Sequence, residues 1–158
     1  MIRKWIDRVL EPVLAFLMAA LLIDVLWQVF SRFVLSSPSS FTDELAGHLL
    51  IWVGLLGAAY VSGRHEHLAI DLLLQKISPR KKKKLQIFIY AMVFLFAVFV
   101  LLLGGSWLVY TRFQLSVTSA TLQINMGIVY MVLPLSGLLI AYYAVDDAIN
   151  SLKQGEGK

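Results

Sequence analysis

Three polar residues with helical spacing lie inside the first long apolar stretch of the sequence. Asp24, Gln28 and Arg32 are each four residues apart, so on a helix their side chains form one stripe. Asp24 and Arg32 would be about 12 Å apart along the axis of that helix, and the long side chain of Arg32 can extend to a membrane surface. Gln28 must therefore bridge the two, or each must have another partner.

Asp24 lies near the middle of the apolar stretch. In a membrane-spanning helix, a charged side chain at that depth costs about 2.5–3.5 kcal/mol on insertion scales. The stripe could relay protons or ions, but polar contact between helices or subunits is the favoured interpretation. We predict that Asp24 is protonated, or hydrogen-bonded to neutral groups or to a second subunit.

Two adjacent acids, Asp43 and Glu44, follow a short serine-rich turn after this stretch. We interpret them as a clamp to the end of the first helix, with contact to a cation or a partner protein as the alternative. His48 follows Glu44 by one helical turn and is interpreted as a packing residue. A haem-binding anchor would need a second axial ligand at the same depth, and His67 is predicted on the other side of the membrane.

The remaining residue patterns do not indicate catalysis or metal binding. His65 and His67 flank one glutamate, near Asp71, but this spacing directs the histidines to different sides of a helix and completes no zinc signature. The chain contains no cysteine, which excludes disulfides and thiolate chemistry. No nucleophile triad, phosphate loop or pair of catalytic carboxylates is present in the sequence. We predict no catalytic residue, metal or cofactor in this chain.

The composition identifies the environment in which these residues lie. Of the 158 residues, 59% are hydrophobic and 15% are charged, against about 45–50% and about 25% in ordinary soluble domains. A globule of this length has too much surface to bury that apolar excess. The net charge of +4 would suit nucleic acid, but basic residues beside apolar spans more often record membrane orientation. The sequence predicts an integral membrane protein that does not bind nucleic acid.

Four segments are long enough to cross a bilayer, because a spanning helix needs about 20 apolar residues. They are residues 12–35, 43–62, 85–110 and 126–145. The predicted fold is therefore an all-α integral membrane protein with four transmembrane helices in a single domain. The connection 63–84 contains a run of lysines at Lys81, Lys82, Lys83 and Lys84, and Leu68–Ile77 within it could form a short interfacial helix.

Several residues predict how these helices begin and bend. Pro12 suits the first turn of the first helix, and Thr42 or Asp43 could cap the second. Asn125 is a candidate cap for the fourth helix, and Pro134 predicts a kink within it.

Small residues predict close helix packing on the second and third helices. The positions concerned are Gly54, Gly57, Ala58 and Ala59 in the second helix, and Gly104 and Gly105 in the third.

The distribution of basic residues predicts the orientation of the chain. Twelve of the fourteen lysines and arginines lie in the N-terminal segment, the connection 63–84 and the C-terminal segment. Only Arg32 and Arg112 lie on the opposite side. By the positive-inside rule, both termini and the connection 63–84 are cytoplasmic.

Several short stretches in a fixed order give the sequence a family resemblance. They are WQVFSRF (27–33), FTDELA (41–46), Trp52, GAA (57–59), EHLAID (66–71), SATLQI (119–124), Tyr130 and Pro134. In this combination the chain resembles the small, DctQ-like membrane subunit of the tripartite ATP-independent periplasmic (TRAP) transporters. The likeness covers nearly the whole chain and agrees with its length and its four predicted spans.

The resemblance implies a component of a bacterial inner-membrane importer of organic acids, of the C4-dicarboxylate or sialic acid class. In this family, a periplasmic protein captures the substrate and a large multi-span subunit moves it, usually with a sodium gradient. The small subunit is expected to be a non-catalytic scaffold among membrane lipids that contacts the large subunit and helps to dock the binding protein. Which acid is transported does not follow from the sequence.

By analogy with that family, three sets of residues are candidate contacts. The clamp candidates within or between subunits are Asp24, Gln28, Arg32, Asp43, Glu44 and His48. The candidates for the face that meets the binding protein are Ser36, Ser37, Ser39, Ser40, Arg112, Gln114 and Gln123. The candidates for a cytoplasmic interface are His67, Asp71, Lys81, Lys82, Lys83 and Lys84.

Two other functions are open at this point. One is a self-sufficient proton-coupled exporter with four helices that uses Asp24. The other is a membrane anchor subunit of a redox enzyme, which would bind haem or a quinone.

Overall fold

The computed structural model of the protein describes residues 2–35, 37, 39–64 and 79–153, with side chains at 3–35, 37, 39–64 and 85–151. Its elements are α1 (Ile2–Phe33), α2 (Ser40–Gly63), α3 (Pro79–Phe96), a π-helical segment (Ala97–Gly104), α4 (Gly105–Gln114), α5 (Met126–Tyr130) and α6 (Val132–Lys153). Among the described residues, four helical stretches are long and apolar enough to cross a membrane: Arg3–Phe33, Ser40–Gly63, Leu85–Gln114 and Met126–Ser151. The prediction of an all-α protein with four membrane-spanning helices is confirmed.

The first two helices begin earlier than the sequence predicts. Helix α1 starts at Ile2, so Pro12 lies inside the helix and not in its first turn. The prediction for Pro12 was wrong because residues before it have partners on other helices, which stabilise the extra turns. Helix α2 starts at Ser40 with Ser39 as its N-cap, so neither Thr42 nor Asp43 is the cap. Instead, the Thr42 hydroxyl donates to the Ser39 carbonyl at 2.9 Å.

The lysine run lies in the first turns of a helix and not in the preceding connection. Helix α3 begins at Pro79 and continues through residues 81–84. Proline suits a first helical position because its φ is already helical and its missing N–H has no partner there, and lysine is a good helix former. The predicted interfacial helix Leu68–Ile77, together with His67 and Asp71, lies outside the described residues, as do the side chains of the lysine run.

The fourth membrane-spanning stretch is interrupted at a single residue, Met131. The predicted cap is confirmed, since the Asn125 side chain accepts the N–H of Gly127 at 2.8 Å. Pro134 lacks the N–H that would bond the carbonyl one turn before it, and the interruption lies within that turn. The indole N–H of Trp52 on α2 donates to the carbonyl of Val129 at 3.0 Å. This bond fixes α2 to the turn next to the interruption.

Small and aliphatic residues form the buried contacts between the helices. One cluster joins α2, the π-helical segment and α6, and a second joins α1, α2 and α6. The first consists of Ala59, Ala97, Leu101, Ile140 and Ala141, and the second of Leu10, Leu56 and Val132. Because lipid is as apolar as these side chains, the clusters stabilise the bundle mainly through close packing.

The glycines that permit the closest helix contacts differ from most of those predicted. A Cβ at Gly54 or Gly57 would have no described atom within 4 Å, so the prediction that these glycines allow close packing was wrong within this chain. Gly105 does make such a contact, since its Cβ would lie 2.8 Å from the Leu133 Cβ. The tightest backbone contact is at Gly137, where a Cβ would lie 2.9 Å from the Leu102 nitrogen.

Candidate functional site

Polar side chains tie the helices together at both ends of the bundle. At one end, which we call the terminal end, the start of α1 meets the ends of α2 and α6. At the other, which we call the hairpin end, residues 115–125 connect α4 to α5. These residues, called the 115–125 hairpin below, are closed by an antiparallel bridge between Thr118 and Asn125. Ser37, between α1 and α2, is also at the hairpin end.

Arg3 is the centre of the contacts at the terminal end. It donates to Asp146 at 3.0 Å and to Asp147 at 2.7 Å, and it also donates to the carbonyl of Gly63. Arg3 therefore joins α1 to the last turns of α6 and to the end of α2. The side chain of Asp147 is 5% exposed, and Arg3 brings a positive charge within hydrogen-bond distance of this buried carboxylate.

Two tyrosines extend the contacts of the terminal end. The Tyr143 hydroxyl on α6 donates to Asp7 at 2.6 Å, and Tyr143 is fully buried. The Tyr60 hydroxyl on α2 donates to Glu11 at 2.6 Å, and Arg64 forms an ion pair with the same carboxylate. Asp7 is thus tied to α6 and Glu11 to α2.

The contacts of the terminal end were not predicted from the sequence. Asp146 and Asp147 directly follow the predicted fourth span, residues 126–145. Two adjacent acids beside an apolar span need a cation or hydrogen-bond donors if the helices bury them, and this position was a signal for such a contact. The predicted topology already placed them on the same side of the membrane as Arg3.

Glu44 makes the most extensive contact at the hairpin end. Its carboxylate accepts the backbone N–H groups of Ala120 at 3.0 Å, Thr121 at 2.8 Å and Leu122 at 2.9 Å. Glu44 is in the first turns of α2, and the three donors are in the 115–125 hairpin. The contact joins the FTDELA and SATLQI stretches of the sequence, a pairing that was not predicted.

Gln28 joins the first two helices at the same end. Its side-chain amide donates to Asp43 at 2.7 Å, so Gln28 does not bridge Asp24 and Arg32. Arg32 is exposed, and within the described residues it forms no ion pair with an acid. The contact across the serine-rich turn is therefore made by Gln28 and not by Arg32.

Asp24 is buried by residues of this chain. It is 7% exposed, and its Oδ2 has no hydrogen-bond partner among the described residues. Burial within the chain's own helices does not favour a contact between Asp24 and a second subunit. A protonated, neutral Asp24 remains our prediction, because an unpaired charge at this depth is costly.

Replacing Asp24 with asparagine is expected to change the free energy of unfolding only slightly, because a protonated carboxyl and an amide are both neutral and have nearly the same shape, so no charge is lost from the buried site. Thermal unfolding of the purified protein in detergent micelles would measure the change. Leucine at the same position is the control for shape. A large destabilisation by both asparagine and leucine would contradict a neutral Asp24, because both variants remove an ionised carboxylate from its partners.

The other sequence-predicted candidates occupy varied positions at the hairpin end. Ser37 and Ser40 are exposed, and Ser39 and His48 are partly buried; Ser36 lies outside the described residues. The guanidinium of Arg112 lies 6.0 Å from the centre of the Tyr130 ring, and its buried Nε has no described hydrogen-bond partner. Gln114 donates to the Tyr110 hydroxyl at 2.9 Å, and Gln123 is exposed.

The geometry of these contacts is that of helix and loop anchoring. Among the described residues, no group of three or more His, Cys, Asp or Glu side chains could hold a metal ion. The carboxylates at both ends bind backbone N–H groups, amides, arginines and tyrosines of the same chain. Such contacts fix the positions of helices and of the hairpin.

Comparisons with known proteins give this architecture a family context. The sequence profile of the family described as tripartite ATP-independent periplasmic transporters, DctQ component, matches residues 21–154. Over 153 residues the chain is 27% identical to the sialic acid TRAP transporter small permease protein SiaQ of Vibrio cholerae, covering 97% of the chain and 87% of SiaQ. Over 114 residues it is 25% identical to the C4-dicarboxylate TRAP transporter small permease protein DctQ of Rhodobacter capsulatus, covering 72% of the chain and 50% of DctQ.

A third similarity is to part of a longer protein. Over 101 residues the chain is 32% identical to the sialic acid TRAP transporter permease protein SiaT of Haemophilus influenzae. The match covers 61% of this chain and 16% of SiaT.

Proposed function

Because the chain belongs to the DctQ-component family of the tripartite ATP-independent periplasmic transporters, we propose that it is a non-catalytic scaffold in such a transporter. In this role it holds a large multi-span transport subunit and helps to dock a periplasmic substrate-binding protein. The observation that carries the proposal is the family match, which extends over residues 21–154 and so includes parts of all four membrane-spanning helices.

Two observations support assembly with a large subunit. A stretch similar to this chain occupies 16% of the permease protein SiaT, so in that protein the corresponding segment is covalently part of a larger permease. In the present chain, α1 exposes large aromatic side chains, including Phe16, Trp27 and Phe33. Such an apolar surface suits contact with lipid and with another membrane subunit.

The proposed cargo is an organic acid. Relatives of the chain are named for sialic acid and for C4-dicarboxylates, and both classes are carboxylates. We assign the recognition of that acid to the other subunits, and the use of a sodium gradient to the assembled transporter. The proposed location is the bacterial inner membrane.

Co-expression with the large subunit tests the proposal. The chain should co-purify with that subunit, and proteoliposomes containing both should take up organic acid only when the binding protein is added. Proteoliposomes that contain this chain alone are the control and should show no uptake. Coupled uptake by the chain alone would overturn the scaffold role and would favour the proton-coupled exporter. Haem or quinone in the purified protein would favour the redox anchor, which the family does not support.

The proposed orientation, with both termini in the cytoplasm, rests on the distribution of basic residues and predicts a labelling pattern. The chain has no native cysteine, so a cysteine introduced at Ser37 or Asn150 is the only reactive thiol. Both positions are exposed and lie at opposite ends of the bundle. A membrane-impermeant maleimide should label Ser37→Cys in spheroplasts, and Asn150→Cys only after permeabilisation. The reverse pattern would show that the positive-inside rule fails here.

A further inference from the structure

We propose that Glu44 is a positioning residue, which holds the 115–125 hairpin in the conformation that docks the periplasmic binding protein. This inference rests on the proposed function, because it takes docking at the hairpin end as given. In this role Glu44 orders the docking surface by binding the hairpin and does not contact the binding protein itself.

The Glu44 carboxylate lies at the centre of a group of backbone donors from the hairpin. Three consecutive N–H groups, from Ala120, Thr121 and Leu122, point to one carboxylate at 2.8–3.0 Å. Successive backbone N–H groups that converge in this way form an anion-binding concavity. Hydrogen bonds to an ionised acceptor are about twice as strong as neutral ones. Glu44 is therefore a strong internal anchor for the hairpin, although it is 76–78 residues away in sequence.

The 115–125 hairpin needs an anchor to hold its conformation. It contains two non-glycine residues with left-handed backbone conformation, Ser116 with φ 47° and Gln123 with φ 53°. Such conformations are unfavourable for residues with a side chain and persist where the surroundings hold them. The hairpin has one isolated bridge, between Thr118 and Asn125, and a short hairpin of this kind is marginally stable by itself.

The contact with Glu44 leaves side chains of the 115–125 hairpin exposed to solvent. Glu44 binds residues 120–122 through their backbone N–H groups, so these three bonds use none of their side chains. Thr118, Ala120, Thr121 and Gln123 are all exposed, and no residue from 115 to 125 is charged. The result is an ordered, uncharged surface with hydrogen-bonding groups at the end of the bundle. An ordered surface binds more tightly than a flexible one, because less conformational entropy is lost on docking.

The first turns of α2, which carry Glu44, are themselves held in place by α1. Asp43, the residue before Glu44, accepts the amide of Gln28 from α1 at 2.7 Å. The first turns of α2 are thus fixed to α1 on one side and to the 115–125 hairpin on the other. Movement of the hairpin relative to the first two helices would require the loss of the hydrogen bonds to Glu44.

The matched pair Glu44→Gln and Glu11→Gln tests the inference. Both substitutions are chemically identical and both remove a carboxylate that joins two parts of the chain, but Glu11 lies at the terminal end, bound to Tyr60 and Arg64. Each variant is assembled with the large subunit in lipid nanodiscs. The probe is the purified periplasmic binding protein of the same transporter, titrated onto the complex. Hydrogen exchange of the amides of residues 120–122 is measured in the same samples.

We expect Glu44→Gln to accelerate exchange at these amides and to weaken docking. If the hairpin is ordered in about one-tenth of the variant molecules, the dissociation constant rises about tenfold. In proteoliposomes, the concentration of binding protein at half-maximal uptake should rise by the same factor while the maximal rate is unchanged. Glu11→Gln should alter neither the exchange of residues 120–122 nor docking.

A second variant at the same residue separates the position of the carboxylate from its charge. Glu44→Asp retains the charge but shortens the side chain by one methylene, so it should also weaken docking, by less than Glu44→Gln. Normal docking by both Glu44 variants would overturn the positioning role and leave the proposed function intact. An equal loss of docking in Glu11→Gln would also overturn it, because the effect would then be general destabilisation. A wild-type complex that binds no binding protein would instead contradict the docking part of the proposed function.

Discussion

Replacing Arg3 with alanine is expected to lower the free energy of unfolding by about 3 kcal/mol, the lower end of the range for breaking a buried ion pair. Arg3 contacts two carboxylates, on Asp146 and Asp147, and the carbonyl of Gly63. Its loss leaves Asp147, whose side chain is 5% exposed, without the arginine that balances its charge. The expected loss of stability is at the low end of that range because the Arg3 side chain is 21% exposed. Water can therefore partly replace the guanidinium as a partner of the two carboxylates. Unfolding in mixed detergent micelles, followed by tryptophan fluorescence, measures the change.

Two further variants separate this ion pair from a general loss of charge. Arg8 is exposed on the same helix, and its replacement by alanine should change the free energy of unfolding by less than about 0.5 kcal/mol. Adding Asp147→Asn to the Arg3 variant should restore part of the lost stability, since the second substitution removes the buried negative charge that Arg3 contacts. Equal effects of the Arg3 and Arg8 variants would contradict the specific role of Arg3.

A single methyl group at Gly137 is expected to destabilise the bundle by about 2 kcal/mol, within the usual range for overpacking. The Cβ of an alanine would lie 2.9 Å from both the Leu101 Cβ and the Leu102 nitrogen, and 3.0 Å from the Ala97 oxygen. Two of these atoms belong to the backbone of the π-helical segment, so relief requires a helix to move. Thermal unfolding of Gly137→Ala in the same micelles gives the magnitude.

The matched control for this prediction is Gly57→Ala. A Cβ at Gly57 would have no described atom within 4 Å, and alanine is favoured over glycine in a helix interior by up to about 1 kcal/mol. The same chemical change should therefore be neutral or stabilising at Gly57 and destabilising at Gly137. Similar losses at both positions would show that the close contact of α6 with the π-helical segment is not what limits the size of residue 137.

The two ends of the bundle are held by different chemistry, and this matters for the proposed scaffold. The terminal end depends on ion pairs and on tyrosines that bind carboxylates, with Arg3 as the residue that contacts most partners. The hairpin end depends on Gln28 with Asp43 and on Glu44 with three backbone N–H groups. A change at one end is expected to leave the contacts at the other intact. Docking and overall stability can therefore be tested separately.

Much of the fold follows from local properties of the chain. The four membrane-spanning helices are predicted because each is a long apolar run, and run length against bilayer thickness is readable without tertiary information. Asn125 is predicted as a cap because capping involves only neighbouring residues. The start of α1 at Ile2 could not be predicted in the same way. It depends on contacts of Arg3, Asp7 and Glu11 with helices that are distant in the sequence.

The candidate site was predicted only in part for the same reason. Gln28, Asp43 and Glu44 were identified as polar contacts, since polar side chains next to apolar spans need partners. Which partner each one has depends on how the helices are rotated and which of them are neighbours. In a soluble helix, the polar face reveals that rotation. In these helices, surfaces toward lipid and toward other helices are both apolar, so hydropathy does not distinguish them.

By itself, therefore, the sequence determined the membrane environment, the number of spans, the asymmetric distribution of basic residues and the family resemblance. Each of these depends on composition, run length or residue order. Only the tertiary structure decided that Glu44 binds the 115–125 hairpin, that Arg3 joins three helices, and that Gly137 rather than Gly57 permits close packing. These contacts join residues that are distant in sequence. They depend on how the helices are rotated and paired, and hydropathy does not predict this because the surfaces toward lipid and toward other helices are both apolar.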